Sequence, residues 1–361
     1  MSATLFDPVH FGAIACRNRV VMAPLTRGRA SPAAVPTELM RDYYEQRASA
    51  GLIIAEATAI SEQGYGWYHA PGIWNDAQRA AWKTITDAVH AASGKIVLQL
   101  WHMGRVSHPD FHADGSLPVA PSAVGLTGEV RTPAGKKPFV APRALETDEI
   151  PDIVQDYVAA ARRARDAGFD GVEIHASNGY LLDEFLRDGA NKRTDSYGGS
   201  VENRARFLLE TTQAVAEEIG ADRTGVRISP TNPKNDMNDS DPASLFSYLA
   251  GALDPIGLAY LHVMEPLPGH MLADPEGRRI TPLIRERFSG PLIVNGGYDA
   301  AKGTDTLATG QADAVSYGVL YIANPDLVHR FQAKAPLNKP EPDSFYSEGP
   351  KGYTDYPAML Y

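Results

Sequence analysis

Gly168-Phe169-Asp170-Gly171-Val172-Glu173-Ile174-His175 joins the end of one periodic segment to a run of strand-forming residues, and the architecture is read outward from this junction. Upstream, Asp152 to Ala167 places Ile153, Val154, Tyr157, Val158 and Ala161 on one helical face, with Arg162, Arg163 and Arg165 gathered towards its end. Gly168 supplies the stop that such a helix needs. Downstream, residues 171–175 are near-continuously apolar rather than alternating, as a strand covered on both faces should be.

The same unit recurs. Strand-like runs are expected at 19–25, 51–58, 95–102, 171–175, 225–230, 258–263, 291–297 and 313–318. Helices are expected at Asp76 to Ala92, Glu202 to Ile219 (stopped by Gly220) and Asp299 to Thr309 (stopped by Gly310). Eight strand-then-helix units predict an α/β fold of the closed parallel type, a (β/α)8 TIM barrel occupying 1–361 as one domain. The rival, an open doubly wound sheet, would place a glycine-rich phosphate turn after its first strand, where this chain has Pro24-Leu25-Thr26. The stretch 103–145 is rich in Pro and Gly and reads as an insertion after strand three that caps the active face. A second loop, Glu265 to Glu276, reads as a lid, and the tail 335–361 as an aromatic, Pro-rich segment near the mouth.

The length of 361 residues suits one such barrel, and a 43% hydrophobic fraction supports a large core. A net charge of −10 argues against nucleic acid or an anionic membrane as partner. Apolar runs fall well short of the ~20 residues of a spanning helix. The first ten residues lack the basic region of a secretory signal. The single cysteine, Cys16, allows neither an internal disulfide nor a Cys-based cluster. A cytoplasmic monomer or homodimer is the expectation.

Barrel chemistry gathers at strand C-termini. Here those positions hold Pro24, Leu25, Thr26, Ala57, Gln99, Trp101, His102, His175, Asn178, Tyr180, Arg227, Gly296, Gly297 and Gly318. This set is aromatic and hydrogen-bonding with one cation, which suits a flat polar cofactor better than hydrolysis. His175 and Asn178 can donate to one carbonyl or nitro oxygen and Tyr180 can supply a proton; equally, His175 can be satisfied by local backbone while Tyr180 caps the core. Arg227 needs an anionic ligand or an internal partner, for which Glu173 is a candidate. Gln99 reads either an imide edge or belongs to an interior polar network. Gly297 and Gly318 stand where barrels bind phosphate through backbone N–H groups. His102, His108 and His112 match no common zinc spacing, so no metal is expected.

Across nearly the whole chain, the residues resemble the Old Yellow Enzyme family of flavin-dependent ene-reductases. The resemblance rests on Phe6-Asp7-Pro8, the stretch 18–27 (Asn-Arg-Val-Val-Met-Ala-Pro-Leu-Thr-Arg), Gln99-Leu100-Trp101-His102-Met103-Gly104-Arg105, residues 168–175, the stretch 195–204 (Asp-Ser-Tyr-Gly-Gly-Ser-Val-Glu-Asn-Arg) and Ala323-Asn324-Pro325-Asp326-Leu327. It implies non-covalent FMN at the barrel mouth and NADPH or NADH as reductant. Pro24, Leu25, Thr26 and Ala57 would line the flavin, with Thr26 near O4, and Gln99 and Arg227 would hold its pyrimidine edge. His175 and Asn178 would bind the activating oxygen of a small-molecule alkene, and Tyr180 would donate the proton. Trp67, Trp101, Phe345 and Tyr346 would shape the substrate pocket. The alternatives are an FMN-dependent nitro or nitrate-ester reductase and a non-flavin barrel lyase; relatives with an iron–sulfur domain are excluded by the lone cysteine.

One departure matters. The family pattern has Gly-Arg after strand eight, the Arg meeting the FMN phosphate; here the chain reads Tyr317-Gly318-Val319-Leu320. Backbone N–H groups of Gly297, Gly318 and Val319, with another cation, are expected to hold the phosphate. Losing one charge-assisted contact weakens FMN by about 1.5–3 kcal/mol unless it is replaced.

Overall fold

The computed structural model describes residues 3–267 and 279–359. Its centre is a closed parallel barrel: β1 (Val20–Met22), β2 (Leu52–Ala59), β3 (Ile96–Trp101), β4 (Gly171–Ala176), β5 (Thr224–Ile228), β6 (Tyr260–Met264), β7 (Leu292–Asn295) and β8 (Ala314–Tyr317) pair in chain order, and β8 pairs with β1. Each of the eight expected runs overlaps one strand.

The apolar look of these runs conceals an alternation. Leu98, Leu100, Val172, Ile174, Val226, Ile228, Leu261 and Val263 point outward and pack in the core shared with the surrounding helices. The inward positions change character along the barrel. At the N-terminal end, Val21, Leu52, Ile54, Val97, Tyr260, Ile293 and Ala314 form an apolar layer closed by Val9, Phe11, Ile14 and Cys16 of the N-terminal hairpin (Val9–Phe11 with Ile14–Cys16). Towards the C-terminal end the inward residues are Gln99, Glu173, His175, Arg227, His262 and Ser316, all buried. Parallel pairing sets Glu173 opposite Gln99, and Arg227 between His175 and His262.

Among the described residues, the longer helices are α1 (Glu38–Glu45), α2 (Asp76–Ala91), α3 (Ile150–Asp166), α4 (Val201–Ile219), α5 (Pro242–Leu253), α6 (Thr281–Arg287), α7 (Ala300–Ala308) and α8 (Leu327–Ala333), with shorter helices at Leu181–Leu186 and Val319–Ala323. α2, α3, α4 and α7 match the expected helices within two residues at each end. α1, two turns long with Met40, Tyr43 and Tyr44 buried, is too short to stand out by periodicity. Asn75 and Gln78 form a capping box at the start of α2, and Ser200, Asp241 and Asp299 cap α4, α5 and α7 through their side chains.

Residues 103–145 are not unstructured. Glu129–Thr132 and Gly135–Pro138 form an antiparallel hairpin, and Val119–Ala120 pairs with Arg143–Ala144. The expected lid lies largely outside the described residues. Its described edge is tied down: buried Glu265 accepts from Arg279 (2.7 Å), from Thr281 Oγ1 (2.6 Å) and from the Tyr298 hydroxyl.

Candidate active site

The site is assembled at the C-terminal rim. β2 carries a bulge, with register shifting between Ala55 and Thr58 against β3. Two residues, Glu56 and Ala57, thus stand opposite one, which bends the strand and turns the rim. Ala57 packs in one cluster with Trp101, Met103, Tyr180 and Trp67. The Trp101 and Tyr180 rings meet edge to face at 4.8 Å, and those of His175 and Tyr180 at 5.0 Å.

The turn after β4 has its own logic. Asn178 (φ +62°) and Gly179 (φ +77°) are both left-handed. A Cβ at Gly179 would stand 2.7 Å from Met237 Cγ and 2.9 Å from the Lys234 carbonyl, so only glycine fits. Its N–H donates to Asp183 Oδ2 at 2.9 Å. The turn delivers His175, Asn178 and Tyr180 to one rim. Ser177 Oγ lies 2.9 Å from His175 Nδ1. When that hydroxyl donates, the ring hydrogen sits on Nε2. Burial, with Arg227 and His262 nearby, holds the His175 pKa well below its usual value, so the ring is neutral and has one N–H to give. Burial pushes the Tyr180 phenol far above its usual range; the Asn235 side chain bonded to it and Arg227 work the other way. Tyr180 is a protonated donor at any physiological pH.

Below this rim lies a polar chain. Gln99 Nε2 donates to Glu173 Oε1 at 2.8 Å; Glu173 Oε2 meets His262 Nδ1 at 2.9 Å, and His262 Nε2 meets Ser316 Oγ at 2.7 Å. Glu173 is thus engaged by Gln99 and His262. Arg227 instead donates from Nη2 to Asn295 Oδ1 (3.2 Å), and Asn295 Nδ2 donates to the Ser316 carbonyl (2.9 Å). Gln99 therefore belongs to an interior network, while keeping one N–H and its carbonyl for other partners.

The first strand and the tail meet across the mouth. Ala23 N–H donates to the Tyr317 carbonyl (3.0 Å), and a Cβ at Gly318 would be 3.4 Å from Leu25, so Pro24, Leu25 and Thr26 lie beside the end of β8. Arg27 donates to the carbonyls of Phe345 (2.9 Å) and Gly352 (2.8 Å). The Trp67 and Tyr346 rings are 5.6 Å apart. Gly297 (φ +64°) follows β7, where a Cβ would come within 2.3 Å of Leu267. Val319 is 45% exposed at the start of a short helix, Val319–Ala323, whose first N–H groups have no intrahelical acceptor. Lys302 Nζ, 3.5 Å from the Gly296 carbonyl, is the cation beside this loop.

Residue reading missed Ser177, Asn232, Asn235, Asn295 and Lys302. Asn232 and Asn235 carried a usable signal, because the polar Ser229-Pro230-Thr231-Asn232-Pro233-Lys234-Asn235 stretch directly follows a barrel strand. His102, His108 and His112 are each tied locally, to Gly104 N–H, Asp110 N–H and the Ser116 carbonyl.

The rim fits FMN. Arg227 Nε is buried with no partner among the described residues, a cation without a carboxylate contact that calls for an acceptor. Gln99, buried in the same inward-facing layer, keeps one N–H and its carbonyl for a further partner. The fold and the site together define a flavin-dependent oxidoreductase barrel.

Residues 4–338 match the model of the NADH:flavin oxidoreductase / NADH oxidase family, and the chain belongs to that family. It is 46% identical to a putative 12-oxophytodienoate reductase 11 of Oryza sativa subsp. japonica, over 99% of this chain and 98% of the relative. The old yellow enzyme homologue of Zymomonas mobilis superposes with a TM-score of 0.97 at 50% identity, covering 99% of this chain and all of that one. Morphinone reductase in complex with tetrahydroNAD gives 0.93 at 51% identity, covering 99% and 98%. The chain is an FMN-dependent, NAD(P)H-driven oxidoreductase of the old yellow enzyme type. Among the described residues, no helix is long and apolar enough to cross a membrane.

Proposed function

We propose that His175, Asn178 and Tyr180 carry out the substrate half of the reduction of activated C=C bonds that the old yellow enzymes perform. The observation that carries this reading is the convergence of a neutral His175, an Asn178 amide and a protonated Tyr180 on one rim beside Arg227, whose Nε has no partner among the described residues. When bound, FMN would supply the hydride chemistry between NAD(P)H and the β-carbon of the alkene. His175 and Asn178 donate to the carbonyl or nitro oxygen of the substrate, stabilising the charge that develops there as an oxyanion hole does. Tyr180 supplies the proton to the α-carbon. Arg227 and Gln99 hold the polar edge of the flavin, and Arg227 offsets negative charge on it. Pro24, Leu25, Thr26 and Ala57 line the flavin, and Trp67, Trp101, Phe345 and Tyr346 bound the substrate.

The phosphate is assigned to backbone N–H groups of Gly297, Gly318 and Val319, with Lys302 as the cation. A cytoplasmic setting accords with the single cysteine, buried with its pKa pushed up to about 12 by desolvation and therefore unreactive.

The test is Tyr180→Phe. Flavin reduction by NAD(P)H should persist while single-turnover reoxidation by cyclohex-2-enone slows by roughly 10²-fold or more. Equal reoxidation rates would remove Tyr180 from the proton-donor role.

A further inference from the structure

We propose that Asn232 is a positioning residue that sets the polarity of the Asn178 amide, so that its NH2 rather than its carbonyl faces the substrate. The inference rests on Asn178 being a substrate-binding donor. An asparagine side chain is nearly symmetric in shape, so its donor and acceptor ends exchange by a simple rotation; only its partners decide which end points where. Asn232 Nδ2 lies 2.6 Å from Asn178 Oδ1. Asn232 is itself anchored to a group that cannot reverse: its Oδ1 accepts the backbone N–H of Lys234 at 3.0 Å. With its carbonyl committed there, Asn232 must turn its NH2 to Asn178. Asn178 must answer with its carbonyl, and its own NH2 is left pointing away from Asn232.

The surroundings make this chain rigid. Asn232 is buried, at 3% exposure. The left-handed Asn178 backbone is held from both sides, its N–H by Ser229 Oγ (2.8 Å) and its carbonyl by Asn235 Nδ2 (2.7 Å). The Asn178 backbone is thereby fixed, and the choice of which amide end faces Asn232 falls to the contact with Asn232 Nδ2. Reversing the Asn178 amide would set its NH2 against that of Asn232, and would place an acceptor against the substrate oxygen.

Asn232→Asp tests this, since the new side chain is isosteric, still accepts from Lys234, and presents an acceptor to Asn178. The readout is the affinity of the FMN holoenzyme for a simple phenol, followed through the flavin spectrum, in four proteins: wild type, Asn232→Asp, Asn178→Ala and the double variant. We expect Asn232→Asp to weaken the phenol about ten-fold, Asn178→Ala to weaken it comparably, and Asn232→Asp to add little in the Asn178→Ala background. A new charge acting directly on the phenol, or a general loosening of the loop, would persist in the double variant, and additive losses would overturn the inference. Asn232→Leu, which removes the donor without adding charge, is expected to weaken the phenol by a smaller factor with the same non-additivity, and covers failure of the Asp variant to fold. If Asn178→Ala leaves the affinity unchanged, the reading of Asn178 falls and this inference with it. If Asn178→Ala weakens binding and neither Asn232 variant does, the inference alone falls.

Discussion

At position 319 a valine stands where the resemblance to the family implies a phosphate-binding arginine, and the cation proposed in its place is Lys302, beside the Gly296 carbonyl and over the Tyr298 ring at 4.3 Å. Lys302→Ala should weaken FMN retention by roughly ten-fold, and Val319→Arg should strengthen it by a similar factor, because a charge-assisted contact is worth about 1.5–3 kcal/mol. FMN released on dilution, measured by fluorescence, checks both; an unaltered Lys302→Ala holoenzyme would show that backbone groups alone suffice. Glu56 gives a pH prediction. It is buried, accepts from Arg27 N–H (3.2 Å) and the Tyr44 hydroxyl (3.2 Å), and burial pushes its pKa up from 4.5 to about 7. The folded state therefore binds the proton more tightly than the unfolded chain. Stability from this group is present below pH 4.5 and is lost as pH rises towards 7, by about 1.4 kcal/mol per unit. Glu56→Gln lacks that titration. Unfolding midpoints should shift in favour of the variant between pH 5 and pH 8; parallel curves for the two proteins would refute the assignment.

At the scale of elements, the tail is held as a strap. Arg29 donates to the carbonyls of Ser344, Phe345 and Lys351, and Arg47 to that of Tyr353. The Tyr353 ring stacks on Tyr43 with centroids 4.0 Å apart. These contacts fix Phe345 and Tyr346 at the mouth. Tyr353→Ala should lose about 3 kcal/mol or more of packing and raise KM for bulky enones, with faster proteolysis of the tail. Tyr353→Phe should be close to neutral, since the hydroxyl is buried without a partner among the described residues. A Tyr353→Ala enzyme with wild-type KM and proteolysis would separate the tail from substrate binding. The sequence showed the tail to be aromatic and Pro-rich, but the arginines that hold it lie some 300 positions away, and no local pattern encodes such a pairing.

At the scale of the whole molecule, eight strands share one interior, and Glu173 sits within it bonded to residues of two other strands. Glu173→Leu would leave Gln99 and His262 without their acceptor and Arg227 without its nearby opposite charge. A loss of about 3–5 kcal/mol in unfolding free energy is expected by denaturant titration; a variant as stable as wild type would mean the network has no structural weight.

The barrel was legible because short apolar runs are local signals that recur eight times, with helical segments stopped by Gly168, Gly220 and Gly310 among them. The places of His175 and Arg227 were legible too, since a polar residue near the end of an apolar strand stands out. What the strands concealed was the inward face, because both faces of a barrel strand are buried and the period-two alternation is masked at the apolar end. The chain by itself determined the fold class and which polar residues stand at the strand ends, both consequences of residue type and spacing, while the candidate chemistry came from the resemblance of its motifs to the old yellow enzymes. Only the tertiary structure decided that Glu173 serves Gln99 and His262 rather than Arg227, that Lys302 stands beside Gly296, and that Asn232 reaches Asn178. Which donor meets which acceptor across a closed barrel depends on register and curvature, and neither is written in any one segment.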